Sequence, residues 1–352
     1  MGRQTGAARR RQLEAPERIA SPVRRRAASP RGLVPAVLTA GLLLTAVFET
    51  TPIHDPANAG ATLPAHLHFS TRYLLISPYC DVMDCVSLFS SPQHVALLLA
   101  AVAILVLARV RAARGWPGFN VRQEIRVLLT FALGIAAFYA LLLVGPRPMA
   151  SLVVEDPDLV KVDFHSHTSA SWDARSGFLA PDNRAWHHDA GFDVSYVTDH
   201  QSYTTDHQSH PADHQGSHAA EFEELSNPAR AGDGTLLLRG LELSLWRKAI
   251  VVPGSPALLW RSEVEERLRT SGVRPEDAFP GALFILPMPT DLPSTMPLRG
   301  KAPPPFAAIE ISDGAPNGLE QSGRDRAAIL ALADLGNLAV VAGTNNHGWG
   351  RT

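Results

Sequence analysis

The 352-residue sequence has little charge, few aromatic residues and almost no cysteine. Charged residues make up 19% of it, aromatic residues 7%, and the cysteines are two in number. So few cysteines exclude a disulfide-dense scaffold. The hydrophobic share of 45% excludes a wholly disordered chain. A membrane protein is not excluded, because the mean values hide how charge and apolar residues are distributed along the chain.

Three stretches without any charged residue are rich in Leu, Ala and Val. A bilayer crossing needs about 20 predominantly apolar residues. We therefore predict three transmembrane helices within a membrane region of residues 33–150, at about 33–49, 93–109 and 127–146. The alternatives are buried core helices and, for the first stretch, a secretory signal peptide.

The arginines indicate an orientation in the membrane. Residues 1–32 form a tail with nine Arg and two Glu, residues 109–126 carry five Arg and one Glu, and residues 49–93 have Arg72 as their sole Arg or Lys. Positive charge stays cytoplasmic. We expect a multi-pass protein of the cytoplasmic (inner) membrane with its N-terminus inside and residues 151–352 outside. An Arg-rich tail can instead bind nucleic acid, but beside a hydrophobic stretch the topological interpretation is favoured.

Cys80 and Cys85 fall in the segment predicted to lie outside. An oxidising compartment would permit a bridge between them. Two unpaired thiols are the equal alternative.

Residues 151–352 are acidic and rich in histidine. They hold 16 Lys and Arg against 27 Asp and Glu, and ten of the 14 histidines. Such a segment is a poor partner for nucleic acid and a good one for metal cations. Its length is sufficient for a hydrophobic core of its own.

Short apolar runs in this segment predict strands at 159–164, 192–197, 236–243, 249–252, 283–286, 306–311 and 338–342. Helical patterns lie between some of them, at 182–190, 262–270 and 319–335. Strands that alternate with helices predict an α/β protein with parallel pairing, either a barrel or an open sheet.

Histidines and carboxylates stand at or near the ends of four of these strands. His165 and His167 are two residues apart, so they face the same side of a strand. The carboxyl ends of parallel strands are where active sites assemble. The residues in question are His165, His167, Asp199, His200, Glu242 and His347.

The run from residue 162 to residue 200 resembles the opening of a PHP domain, the polymerase and histidinol phosphatase family. The family pattern reads here as Asp163-Phe164-His165-Ser166-His167-Thr168, then Ser171-Trp172-Asp173, Ala190-Gly191 and Thr198-Asp199-His200. Gly240-Leu241-Glu242 and the segment 343–347 extend it more loosely. The resemblance implies a distorted TIM-like (β/α)7 barrel, here preceded by the three transmembrane helices, and phosphoester hydrolysis.

The resemblance also implies a metal centre. The ligands carried over are His165, His167, Asp173, His200, Glu242 and His347. Imidazole and carboxylate ligands suit Zn, Mn or Fe, and we expect one or two ions, although the family holds up to three. The expected catalytic residues are His165, His167, Glu242 and Asp199. Glu242 would bridge the ions, and Asp199 would orient His200. A hydroxide on the metal would attack the substrate, a phosphorylated small molecule or another phosphoester.

Four further residues follow strand ends and are candidates for holding substrate. Arg247, Lys248 and Arg351 could bind a phosphate, although such side chains are usually solvent-exposed. Asn345 stands where the family has an aspartate, and Met288 where it has a histidine. These departures leave a second hypothesis, a catalytically degenerate domain that binds metal or another ligand. The last strand lacks a following helix, which predicts a barrel truncated at its C-terminus.

Overall fold

The computed structural model describes residues 53–55, 58, 61–113, 120–145, 147–200, 234–243, 249–252, 280–288, 306–314 and 318–350. The helices are α1 (Thr71–Ser87), α2 (Ser91–Ala113), α3 (Val121–Val144), α4 (Ala180–Ala190) and α5 (Gly318–Gly336). The strands are β1 (Ala65–His68), β2 (Ser151–Val154), β3 (Val162–Ser166), β4 (Val194–Val197), β5 (Leu236–Arg239), β6 (Leu241–Leu243), β7 (Ala249–Val252), β8 (Leu283–Leu286), β9 (Ala308–Ser312) and β10 (Ala339–Ala342).

Helices α2 and α3 are long and apolar enough to cross a membrane, over 22 and 24 residues. Most of their Leu, Val and Ile side chains are exposed rather than packed in a core. They match the predicted spans 93–109 and 127–146. The described residues contain two such helices and not the three predicted. The predicted span at 33–49 lies outside the described residues.

Helix α1 is a feature that the hydrophobic pattern did not reveal. Its N-cap is Ser70, whose side chain accepts a hydrogen bond from the backbone N–H of Tyr73 at 3.2 Å. Pro78 lies within it, and the backbone is non-helical at Ile76, so the helix is kinked there. Cys80 is buried and Cys85 exposed, and both are free thiols, so the bridge between them is not formed.

Helix α1 packs against α3 through Met83, Val86 and Leu142. Just beyond α3, the fully buried side chain of Arg147 donates from Nε to Asp84 Oδ1 on α1 at 2.9 Å. A second hydrogen bond runs from Arg147 to the carbonyl of Leu142 at 3.1 Å. These contacts fix the end of α3 against α1.

The described strands form three sheets. Strands β1 and β2 pair antiparallel, which joins the chain before α1 to the chain after α3. Strands β3, β4 and β5 form a parallel sheet in that order. The third sheet has the order β10-β9-β8-β7-β6. Strands β10, β9 and β8 are parallel to one another, and β7 pairs antiparallel with both β8 and β6.

The prediction of a TIM-like (β/α)7 barrel is therefore wrong. The strands of the described residues lie in separate mixed sheets and close no barrel. Only five residues separate β6 from β7, whereas a parallel crossover needs a dozen or more. That spacing forces an antiparallel pair into the sheet.

Two contacts bring the parallel sheet and the mixed sheet together beside the candidate site. The backbone N–H of Asn345, after β10, donates to the carbonyl of His165 at 2.7 Å. The N–H of His167 donates to the carbonyl of Asn346 at 2.9 Å. On the other side of the mixed sheet, α5 covers β8 and β9 with an apolar core that includes Ile309 and Ile329.

Candidate metal centre

The structure brings together the six predicted ligands. His165 lies in β3 and His167 directly after it, His200 follows β4, and Glu242 lies in β6. Asp173 stands in the turn before α4, and His347 comes after β10. Two groups within this cluster could each hold a metal ion: His165, His167 and Glu242 in one, and His167, His200 and His347 in the other.

The first group is buried and compact. The Nε2 atoms of His165 and His167 are 3.1 Å apart. Oε2 of Glu242 lies 3.5 Å from the first of these nitrogens and 3.7 Å from the second. No more than 4% of any of these three residues is exposed, so water contributes little to their solvation.

The outer nitrogens of both rings are already engaged. His165 Nδ1 lies 3.2 Å from Oε1 of Glu310, and His167 Nδ1 lies 2.9 Å from the hydroxyl of Ser171. That hydroxyl donates to Asp199 at 2.8 Å, so it accepts from His167. With a proton on Nδ1 alone, each ring would present its Nε2 lone pair to the space between them, and this is the protonation state that binds a metal ion.

In the second group, too, a ring nitrogen with a free lone pair faces another acceptor. His347 Nδ1 lies 2.7 Å from the carbonyl of Asn345, which leaves a lone pair on Nε2. That Nε2 lies 3.3 Å from Oδ1 of Asp173, and both atoms are buried without a hydrogen-bond partner. His200 completes the group, with Nδ1 3.1 Å from Glu242 and Nε2 3.4 Å from Asp173. A pair of acceptors that face each other in a buried site fits a divalent cation.

Asp199 contacts the loop after β3. Its carboxylate accepts from the backbone N–H and the hydroxyl of Thr168, each at 2.7 Å, and from the hydroxyl of Ser171 at 2.8 Å. It therefore holds the loop after β3 and, through Ser171, orients His167. Ser171 also accepts from the backbone N–H of His200 at 3.1 Å, so one hydroxyl links two of the histidines.

A buried network behind the metal ligands was missed by sequence reasoning. Asp163 accepts hydrogen bonds from the backbone of His165 at 3.1 Å and from the N–H and hydroxyl of Thr344 at 3.0 and 2.6 Å. Its Oδ2 also lies 2.6 Å from Nε2 of His187, a fully buried residue of α4. Asp163 thus ties β3, α4 and the segment after β10 to one point.

Glu310, a carboxylate in β9, is not one of the six predicted ligands but contacts one of them. In the structure it is 1% exposed, faces His165, and accepts from the backbone N–H of Met288 at 3.2 Å. Met288 itself packs in the apolar core under α5. The signal that could have identified Glu310 is a carboxylate within an otherwise apolar strand.

The pKa values of His165 and His167 are shifted in opposite directions. Burial lowers the pKa of His165, but the carboxylates of Glu310 and Glu242 outweigh it and raise that pKa well above its usual range. Burial and the neighbouring His165, His347 and His200 lower the pKa of His167 well below its usual range. His167 therefore remains a neutral imidazole, the form that binds metal.

Of the predicted substrate-binding residues, Asn345 alone lies within the described part of the chain. Its backbone is left-handed, with φ of 46°, a conformation that Asn tolerates better than most residues. Its Oδ1 is buried without a hydrogen-bond partner. Arg247, Lys248 and Arg351 lie outside the described residues.

Comparisons with known proteins identify no family for this chain. No protein-family model matches it, and no match is found among curated proteins. Among solved structures, PsfC from Pseudomonas syringae is similar at 16% identity and a TM-score of 0.30, over 53% of this chain and 75% of that one. A likeness this low assigns neither a fold nor an activity, so the functional argument depends on the geometry of the six ligands.

Proposed function

We propose that residues 151–352 bind one or two divalent metal ions and hydrolyse phosphoesters, in keeping with the resemblance to PHP domains. The observation that carries the proposal is the convergence of His165, His167 and Glu242, with the two Nε2 atoms 3.1 Å apart and facing each other. Zn, Mn and Fe suit this mixture of imidazole and carboxylate ligands. His200, His347 and Asp173 supply the second position.

The roles of the protein groups follow from their contacts. A bound divalent ion supplies Lewis acidity and a nucleophile derived from water. Glu242 lies within 3.7 Å of ring nitrogens from three histidines, which suits a carboxylate shared between two positions. Glu310 orients His165, and Asp199 orients His167 through Ser171. The substrate on this proposal is a phosphorylated small molecule or another phosphoester.

Direct measurement on the full chain tests the proposal. Detergent-solubilised protein is purified, its metal content is measured by plasma mass spectrometry, and hydrolysis of mono- and diester nitrophenyl phosphates is followed. We expect bound metal and activity in the wild type and the loss of both in His165→Ala. His188→Ala is the matched control, because His188 is exposed on α4 and outside the cluster. Folded wild-type protein without metal would contradict the proposal.

A catalytically degenerate domain that only binds metal or another ligand is the second candidate. Two observations favour it: Met288 is packed in the apolar core, and Asn345 stands where the PHP pattern has an aspartate. Full metal occupancy without hydrolysis, together with activity gained in Asn345→Asp, is the result this candidate predicts. Hydrolysis by the wild type, abolished in His165→Ala, would eliminate it.

For the chain as a whole we propose an inner-membrane protein in which α2 and α3 cross the bilayer. The cluster of arginines between these helices supports a cytoplasmic loop, which puts the metal centre outside. A periplasm-active reporter fused after Pro148 should be active, and one placed within residues 114–119 should be silent. The reverse pattern would put the metal centre in the cytoplasm.

A further inference from the structure

Helix α1 packs against the sides of α2 and α3, not beyond their ends. Met83 of α1 belongs to an apolar cluster with Leu142 of α3, and Leu97 of α2 and Phe138 of α3 pack against that cluster. Leu97 and Phe138 each lie six residues inside the nearer end of their helix. At 1.5 Å of rise per residue, α1 therefore flanks the two helices over about 9 Å of their length.

The apolar part of α3 has little length to spare for a membrane crossing. Residues 127–144 follow Arg126 and include no charged residue, and they make about 27 Å of helix. The hydrocarbon layer of a bilayer is about 30 Å thick. If α3 crosses that layer, its last turns, with Phe138 and Leu142, lie within the layer and do not project into water. A helix that packs on their flank lies at the same depth.

The exposed side chains of α1 are mostly apolar. Leu75 is 76% exposed and Val82 is 52% exposed, and Ile76 and Cys85 are exposed as well. Large aliphatic side chains grouped on one exposed helix mark a surface that contacts a partner or a membrane. Since α1 flanks two helices whose own leucines, valines and isoleucines are exposed in the same way, the apolar surface of the three helices is continuous.

We infer that α1 is an interfacial helix, which lies along the membrane surface with its exposed apolar side chains against lipid. It does not cross the bilayer, because it is kinked at Ile76 and carries Asp81 and Asp84. Interfacial helices bury their apolar face by about 5–10 Å, which agrees with the depth over which α1 flanks α2 and α3. The inference rests on the proposal that α2 and α3 cross the bilayer, and it is independent of the metal centre.

The chain carries its own reporter on this helix, because Cys85 is exposed whereas Cys80 is buried. A thiol-reactive nitroxide is attached to Cys85 of the full chain, which is reconstituted into vesicles of phosphatidylcholine and phosphatidylglycerol. Electron paramagnetic resonance then measures collisions of the label with oxygen, which concentrates in lipid, and with a water-soluble nickel chelate. We expect oxygen collisions to predominate at Cys85, and also at Val82→Cys prepared in a Cys85→Ser background.

Two further labels in the Cys85→Ser background serve as matched controls. Ile104→Cys, near the middle of α2 at a position that is 68% exposed, reports the bilayer interior. Glu320→Cys, at an exposed position of α5, reports water. The ratio of oxygen to nickel collisions at Cys85 should be several-fold above the ratio at Glu320→Cys and below the ratio at Ile104→Cys, because an interfacial helix lies at a lesser depth than the middle of a span.

Three results would overturn the inference. If Cys85 and Val82→Cys match Glu320→Cys while Ile104→Cys is in lipid, α1 lies in water and the proposed spans stand without it. If both positions of α1 lose collisions with oxygen and with nickel alike, a protein surface covers this face in place of lipid. If Ile104→Cys itself collides freely with the nickel chelate, α2 does not cross a bilayer, and the proposed membrane topology fails together with the inference.

Discussion

The geometry of the candidate centre depends on single residues that hydrogen-bond to its histidines. Glu310 and Ser171 engage the outer nitrogens of His165 and His167 and so fix which nitrogen faces inward. Outer partners of this kind set both ring orientation and ligand basicity. The centre therefore depends on a carboxylate and a hydroxyl that contribute no ligand of their own.

We expect Glu310→Gln to lower metal affinity about 10–100-fold, the usual cost of losing an outer partner of a histidine ligand. The amide keeps the shape of the side chain but removes the charge that favours the Nδ1 proton of His165. Competition titration with a metal-binding dye measures the change. Glu320→Gln, at an exposed position of α5, is the control; equal affinities in the two variants would refute the role given to Glu310.

A glycine sets how closely β10 approaches β3. A Cβ at Gly343 would overlap Cβ of His165 and Oε1 of Glu310. Gly343→Ala should therefore shift β3, destabilise the protein by about 1–3 kcal/mol and lower metal content. At Gly323, in α5, a Cβ meets nothing within 4 Å, so Gly323→Ala should stabilise by up to about 1 kcal/mol. Thermal unfolding compares the two, and equal shifts would contradict this account.

At the scale of elements, Asp163 joins three parts of the chain that are far apart in sequence. It bonds to β3, to His187 of α4 and to Thr344 after β10. The parallel sheet and the end of the mixed sheet are held together at this carboxylate. The relative position of His165 and His347, one from each side, follows from it.

Removal of the Thr344 hydroxyl should show how much the contacts of Asp163 contribute to the free energy of unfolding. Thr344→Val leaves a buried oxygen of Asp163 with one donor fewer, and we expect a loss of about 2 kcal/mol in the free energy of unfolding. Thr344→Ser retains the donor and should behave like the wild type within about 0.5 kcal/mol. Denaturant unfolding monitored by circular dichroism distinguishes them. A serine variant as unstable as the valine variant would point to packing instead.

Most elements after residue 159 were predictable from the sequence, whereas the helix at Thr71–Ser87 and the strands at Ala65–His68 and Ser151–Val154 were not. Each predicted strand of residues 151–352 overlaps an observed one, and the predicted helices at 182–190 and 319–335 correspond to α4 and α5. The helix predicted at 262–270 lies outside the described residues. The wrong barrel came from the resemblance to PHP domains, and the alternation of strands and helices had indicated parallel pairing throughout. Strand order and direction depend on contacts between distant segments, which periodicity does not report.

The predicted ligands were easier to identify from the sequence than the residues that hydrogen-bond to them. Histidines spaced two apart on a strand are visible in a sequence, because the local repeat fixes the side they face. The contacts of Asp163 with Thr344 and of His165 with Glu310 join residues more than 140 positions apart. Nothing local in the sequence marks such pairs.

At the scale of the whole molecule, specific contacts join the apolar helices to the segment that carries the candidate metal centre. Strand β1 before α1 pairs with β2 after α3, Gly350 bonds to Leu143, and Arg147 bonds to Asp84. Burial raises the pKa of Asp84 despite the adjacent guanidinium. The junction therefore contains an ion pair whose two members have both lost water.

Asp84→Ala should leave the fully buried Arg147 without its counter-ion and destabilise the full chain by about 3 kcal/mol. Thermal unfolding in detergent measures the loss. Arg72→Ala, at an exposed position of the same helix, should change the melting temperature little. If both variants melt as the wild type does, the ion pair contributes nothing to the junction.

The hydrogen bond from Gly350 to Leu143 has a mechanical consequence. Gly350 is three positions after His347, and a step of three residues spans at most about 11 Å. If α3 crosses a bilayer, its tilt adjusts to the thickness of the hydrocarbon layer. A change in lipid chain length would then shift Gly350 through its hydrogen bond to Leu143 and so move the imidazole of His347. The thickness of the membrane would in this way alter the geometry of the candidate metal centre.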